Sequence, residues 1–150
     1  MKKEFFRANA GAVILNERGQ VLACNRADVP EEAWQMPQGG INKGEEPIDA
    51  VRREVEEETA VAASELELIG EVPGWLAYEL PPAYRRAKTG RGQVQKWLIF
   101  RFTGRDRQVR PDQHEFSDWR WMSPADLLDQ APPFRRAVYQ AVLALIPKTR

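Results

Sequence analysis

From Gly39 to Val61 the chain runs Gly39-Gly40-Ile41-Asn42-Lys43-Gly44-Glu45-Glu46-Pro47-Ile48-Asp49-Ala50-Val51-Arg52-Arg53-Glu54-Val55-Glu56-Glu57-Glu58-Thr59-Ala60-Val61, a loop that turns into a helix. Pro37-Gln38-Gly39-Gly40 breaks the preceding chain, and Asn42-Lys43-Gly44 continues the loop. Pro47 suits a first helical turn, where its missing N–H costs nothing. Pro47 to Glu58 then reads as helix, with Ile48, Val51 and Val55 forming the apolar stripe. Glu54, Glu57 and Glu58 fall at i, i+3 and i+4, so three carboxylates share one face with Cβ atoms about 5–6 Å apart. Such like charges destabilise a helix unless a divalent cation offsets them. Oxygen-only ligands suit Mg²⁺ or Mn²⁺. Taken alone, a glutamate-rich face is ordinarily a solvated one.

Working outward, Ala10–Leu15 and Gln20–Asn25 read as two strands of a hairpin turned by Asn16-Glu17-Arg18-Gly19. Downstream, Leu66–Val72 and Trp75–Leu80 are strands stopped by Pro81-Pro82. Ala83–Gly92 reads as a polar, basic, mobile loop, and Val94–Phe102 as the clearest later strand. Phe116–Met122 alternates, placing Trp119 and Trp121 on one face. Ser123 caps a helix with Pro124 at N1 and Asp126 at the positive end. A last helix runs from Pro133 to Ile146, with Val138, Val142 and Leu145 on its buried side. Strands interleaved with a few helices predict an α/β or α+β layered fold, and 150 residues suit one domain spanning 1–150.

Composition narrows the function. The chain is 43% hydrophobic, but no apolar run approaches the roughly 20 residues of a membrane helix. Met1-Lys2-Lys3 followed by the short Ala10–Leu15 is a poor signal peptide. The lone Cys24 excludes an intrachain disulfide and a thiolate metal cage, and reads as a small buried hydrophobe in a reducing cytoplasm. A net charge of zero argues against a general nucleic-acid coat protein, so no DNA partner is expected. Charge is nevertheless segregated. Acidic residues crowd positions 45–58, and Arg85, Arg86, Lys88, Arg91, Lys96, Arg101, Arg105 and Arg107 crowd positions 85–107. Cations and an anionic ligand fit such a pair of patches, as do two solvated faces.

The register decides between these. Gly39, Glu45, Arg53, Glu54, Val55, Glu57, Glu58 and Val61 match the box of the Nudix hydrolases at eight of its nine specified positions. Average residue usage puts chance agreement near about one in a million. The departure is Ala60, where the box has glycine just past the helix. The sequence thus resembles the Nudix hydrolases, which implies an α/β/α sandwich with a mixed central sheet and the box helix packed on it. Trp34-Gln35-Met36-Pro37-Gln38-Gly39-Gly40-Ile41, Gln95-Lys96-Trp97, Trp119-Arg120-Trp121 and Phe134-Arg135 extend the likeness over nearly the whole chain. They are similar to the bacterial RNA 5′-pyrophosphohydrolases and the plant-type diadenosine tetraphosphate hydrolases.

This resemblance implies roles. Glu54, Glu57 and Glu58 hold Mg²⁺, joined by Glu115 and the Gly39 carbonyl. Glu45 and Arg53 pin the loop onto the helix, and Glu56 points elsewhere. Arg7, Arg26 and Lys96 hold the polyphosphate or the nucleotide beside it, and Phe134 stacks on a base. Trp75 and Tyr78 are two further aromatics to locate, and His114 is expected to be exposed. A metal-activated water attacks a phosphoanhydride, with Glu58 or Glu54 taking its proton. The expected substrate is an RNA 5′ end. A dinucleoside polyphosphate is the rival substrate, and a non-catalytic module that binds nucleotides or RNA ends is the rival of another class. No activating protein partner can be identified from the residues.

Overall fold

The computed structural model describes residues 4–87 and 89–147. Met1-Lys2-Lys3 and Lys88, both used in the sequence reading, lie outside the described residues. Eight strands form one mixed sheet: β1 (Phe6–Leu15), β2 (Val21–Arg26), β3 (Trp34–Gln35), β4 (Gln38–Gly40), β5 (Leu66–Glu71), β6 (Leu76–Glu79), β7 (Gly92–Phe102) and β8 (Phe116–Met122). Three helices accompany them: α1 (Pro47–Thr59), α2 (Pro124–Gln130) and α3 (Pro133–Leu143). The path through the sheet is β3-β2-β1-β7-β5, with β4 beside β1, β6 beside β7 and β8 beside β2. β1 and β7 run parallel from Phe6–Gly92 to Leu15–Arg101, and the other strand pairs are antiparallel.

The central strands are apolar at nearly every position because both sheet faces are covered. Val13, Val21, Ala23, Trp97 and Ile99 pack on one side with Leu127 of α2 and with Val138, Tyr139 and Val142 of α3. Ala12, Ile14, Leu22, Cys24, Leu98 and Phe100 pack on the other with Val51 and Val55 of α1. Helices therefore sandwich the sheet, with α1 alone on its own side. Cys24 is fully buried, and burial pushes its thiol well above the ordinary range.

Several boundaries differ from the sequence reading. β1 begins four residues earlier than Ala10, since Phe6–Asn9 find backbone partners on β7. Gln38-Gly39-Gly40 is a short strand on β1, although its glycines read as a break. The hairpin expected between the first two strands is joined at Leu15–Val21, but the same edge of β2 then passes to β3 at Cys24–Asn25, and its other edge carries β8. The last helix stops at Leu143, and Leu145 is half exposed instead of completing the stripe, whose place Tyr139 takes. The stretch read as a free loop from Ala83 is tied down. Arg85 Nε donates to Leu80 O at 2.8 Å, Arg91 N donates to Phe5 O at 2.9 Å, and Gly92 already belongs to β7. The basic segment also disperses: Arg85 and Arg91 pair with Glu79, and Arg101 pairs with Glu67.

Candidate active site

The β4–α1 connection is held by one guanidinium. Arg53 Nε and Nη2 each lie 3.0 Å from an oxygen of Glu45, and Nη2 also donates to Gly40 O at 2.9 Å. Its Nη1 reaches Glu54 Oε1 at 2.7 Å. Glu45 in turn accepts the Asn42 N–H at 2.9 Å. The Arg53 fork and this N–H hold the Glu45 carboxyl down at about 2, and Glu45 raises the Arg53 guanidinium in return. One residue thereby fastens loop, strand and helix together. Ala60 ends α1 at φ 65°, in the left-handed conformation, with its N–H on Glu56 O. The helix ending is kept despite the missing glycine.

On α1 the three acids have different surroundings. Glu58 is 2% exposed, and neither carboxylate oxygen has a hydrogen-bond partner. Burial, then the like charges of Glu115 and Glu54, push its carboxyl well above the ordinary range. Glu54 is mostly covered and engaged by Arg53. Glu57 is 60% exposed, 3.7 Å from Arg53 Nη1, and Glu56 is exposed. Among the described residues, no three such side chains already stand at ligand spacing around one point. Arg53 draws Glu54 to itself, and Glu57 extends into solvent. A Cβ on Gly39 would overlap the Glu54 carboxylate, so only glycine admits this acid against β4.

Glu115 arrives from the loop before β8 and lies beside Glu58; burial is the largest cause of its raised carboxyl pKa. The loop is shaped by Asp112, whose Oδ1 accepts the N–H groups of His114, Glu115 and Phe116 at 2.9–3.0 Å. The sequence reading missed Asp112, whose only signal is its place before a polar turn. His114 is exposed, as expected.

A cleft of about 380 Å³ opens on the α3 side of the sheet. Phe134 lines it, with Tyr84 at 5.4 Å between ring centroids and the Arg135 guanidinium 4.9 Å from its own ring. Arg26 also lines it, and its guanidinium joins cleft to acids. It pairs with Asp28, donates to Gln35 Oε1 at 3.4 Å and lies 3.7 Å from Glu115. Arg7 does not line the cleft. Its guanidinium occupies the space that a side chain on Gly40 would fill.

Lys96 is not brought to the cleft either. Strand alternation turns it away from its neighbours Gln95 and Trp97, and its Nζ donates to Val72 O at 3.0 Å with Glu71 at 3.7 Å. Trp75 is half exposed outside the cleft. The Tyr78 hydroxyl is spent on Gln93 Oε1 at 2.7 Å and Arg135 Nη1 at 3.0 Å. Gln35, Tyr84, Arg86, Gln93 and Arg135 line the cleft and were given no site role from the sequence. Arg135 stood in a quoted dipeptide, but nothing in its spacing announced a buried guanidinium.

A NUDIX domain matches residues 5–142. The chain belongs to the Nudix family. This Nudix protein is 42% identical over 144 residues to an RNA pyrophosphohydrolase of Cereibacter sphaeroides, covering 93% of this chain and 89% of the relative. It is 38% identical to the chloroplastic Nudix hydrolase 26 of Arabidopsis thaliana, across 94% of this chain and 69% of that one. Its fold is that of a C. elegans Ap4A hydrolase binary complex, with TM-score 0.71 and 21% identity over 90% of this chain and 93% of the other. The dihydroneopterin triphosphate pyrophosphohydrolase of E. coli superposes with TM-score 0.73 at 23% identity, over 94% and 99%. The Nudix protein is an enzyme that acts on pyrophosphate bonds.

Proposed function

We propose that the chain is an RNA 5′-pyrophosphohydrolase, converting a 5′-triphosphate or 5′-diphosphate RNA end to a 5′-monophosphate with Mg²⁺. The observation that carries this reading is Glu58: a carboxylate buried in a folded domain, with no donor on either oxygen. Burying such a group without a partner is costly, and an all-oxygen acid set with Glu54 and Glu115 beside it fits a hard divalent ion. Glu54, Glu58 and Glu115, with Glu57 and the Gly39 carbonyl, would hold Mg²⁺; Mn²⁺ fits the same donors. When bound, the ion supplies charge neutralisation on phosphate oxygens and activation of water.

The protein's own groups do the rest. Arg53 and Glu45 hold β4 and α1 at fixed spacing, so Glu54 stays against Gly39. Glu58, with both oxygens free of donors, is placed to take the attacking water's proton. Arg26 sits where the cleft meets the acids and holds phosphate oxygens there. Phe134, half-buried beside Tyr84, is a platform for a base. Arg7, whose guanidinium lies over Gly40, and Lys96, whose Nζ is held by Val72 O, are the other phosphate candidates. This reading treats residues 1–150 as one catalytic domain. Among the described residues no helix is long and apolar enough to cross a membrane, and a cytoplasmic location, expected from the lone Cys24, is part of the reading.

The 42% identity to an RNA pyrophosphohydrolase over 93% of the chain favours the RNA end. A dinucleoside tetraphosphate, cut into two unequal nucleotides, is the alternative that the aromatic cleft also admits. Triphosphorylated RNA and diadenosine tetraphosphate, compared at equal concentration with Mg²⁺, separate the two. The proposal expects the larger kcat/KM on RNA, and a larger value on the dinucleotide would transfer the assignment.

A further inference from the structure

Two of the longer strands keep one edge without a partner. Among the described residues β5 pairs only with β7, and β8 pairs only with β2. An open edge offers its N–H and C=O groups to another strand, and proteins blunt such edges with charge, proline or bulges. β5 is blunted in this way. Its only charged residues, Glu67 and Glu71, are both exposed, so a second β5 would meet it with like charge. β8 differs. It has neither lysine nor proline, and its two charges are of opposite sign: Asp118 and Arg120, both exposed and 3.9 Å apart.

Which backbone groups of β8 face outward follows from the ladder. Arg26 N donates to Ala33 O on the β3 side, and Ala27 N donates to Glu115 O on the β8 side. Odd-numbered residues of β2 therefore face β8, paired as Val21–Met122, Ala23–Arg120 and Asn25–Asp118. The N–H and C=O groups of Ser117, Trp119 and Trp121 are left pointing away. Two contacts agree with this. Ser117 O receives Gln113 Nε2 at 3.4 Å, and Trp119 N donates to the adjacent Asp118 Oδ1 at 2.8 Å. The side chains alternate as well. Trp119 and Trp121 pack toward the α1-side core, while the Arg120 guanidinium stands on the other face, 4.2 Å from the Trp34 ring.

We infer that β8 is a docking edge for a second copy of this chain, the two strands lying antiparallel about a two-fold axis through Trp119. In that register the outward groups of Trp119 meet those of Trp119 in the second copy, and Ser117 meets Trp121, so donors face acceptors. Asp118 stands opposite Arg120 of the second copy, and the symmetry makes this ion pair twice. Moving the axis by one residue sets Asp118 against Asp118 or Arg120 against Arg120. Charge therefore selects one register and penalises its neighbours. The register shift opposite Asn25 and Arg26 confines the new ladder to Ser117–Trp121, a short contact that makes the dimer reversible. The interface uses no residue of the acid site or the cleft. It draws on the fold alone and is independent of the substrate.

The test reads molecular mass and needs no turnover. Analytical ultracentrifugation of the full-length protein over about 1–200 µM should show the mass rising from one chain toward two. Asp118→Arg and Arg120→Asp, each folded by circular dichroism, should each weaken self-association by at least about tenfold, because like charges then face each other at both crossings. An equimolar mixture of the two variants should associate one to one, since only unlike chains then set opposite charges face to face. An unmodified protein that stays a single chain across the range would overturn the inference and leave the edge to a strand from another protein. Full self-association of Asp118→Arg would place the contact elsewhere, and folded variants that stay apart when mixed would remove the register. Either of these results also overturns it.

Discussion

Ala60 sits in a left-handed backbone conformation, at φ 65°, that its Cβ makes unfavourable. Glycine would relieve this, less what it gains in unfolded-chain freedom. Ala60→Gly should therefore stabilise the protein by about 0.5–1 kcal/mol, read as a thermal midpoint raised by a few degrees. A lowered midpoint would mean that the cap depends on the alanine methyl. Three residues upstream, Glu57 behaves differently because its side chain is mostly solvated. Glu57→Gln should leave the metal-free melt unchanged within about 0.5 kcal/mol while cutting turnover by more than about a hundredfold. Near-normal turnover would remove Glu57 from the ligand set. Both residues were legible in the sequence, since the three-and-four spacing and the box register needed only local geometry. What spacing did not reveal was the difference among the three acids. Burial of Glu58 depends on β8 and its loop, which lie far away in the chain.

At the scale of elements, the unit that matters is the loop from β4 into α1, clasped by Arg53. Its pairing with Glu45 was readable because an arginine and a carboxylate eight residues apart bracket one helix start. That Gln38–Gly40 is itself a strand was not readable, since β1 supplies its partners from Asn9–Gly11. The clasp has a pH signature. Glu45 has a folded value of about 2 against an ordinary 4.5, so the folded chain holds this proton less tightly than the unfolded one. Its stabilisation is complete above the unfolded value and disappears as pH falls from 4.5 toward 2. Glu45→Gln should thus lower the denaturation midpoint at pH 7 and converge with the unmodified protein at about pH 2. A stability difference that persists at the acid end would show that the loss is one of packing and not of charge.

Over the whole molecule, the sheet separates two jobs. The acids stand on the α1 side, and the cleft opens on the α3 side. They meet at the end of β2, where Arg26 touches Gln35 on one hand and lies 3.7 Å from Glu115 on the other. The sandwich and its box helix were legible because apolar periodicity and motif register agree. The cleft was legible only at Arg26 and Phe134. Its lining includes Gln35, Gln38, Gln93 and Arg135, which three strands and a helix bring together from distant parts of the chain. The capture of Lys96 by Val72 O has the same origin, since a strand's alternation fixes the side on which a residue lies but not the groups that hold its end.

The most direct measurement is pyrophosphate release from 5′-triphosphorylated RNA, with saturating Mg²⁺, by the unmodified protein and by Glu58→Gln. The substitution keeps the shape of the buried side chain and removes its charge. Turnover should fall by more than about a hundredfold, with the near-ultraviolet circular dichroism spectrum unchanged. Turnover within tenfold of the unmodified protein, at the same folded content, would contradict the claim that a buried, donor-free carboxylate on α1 drives the hydrolysis.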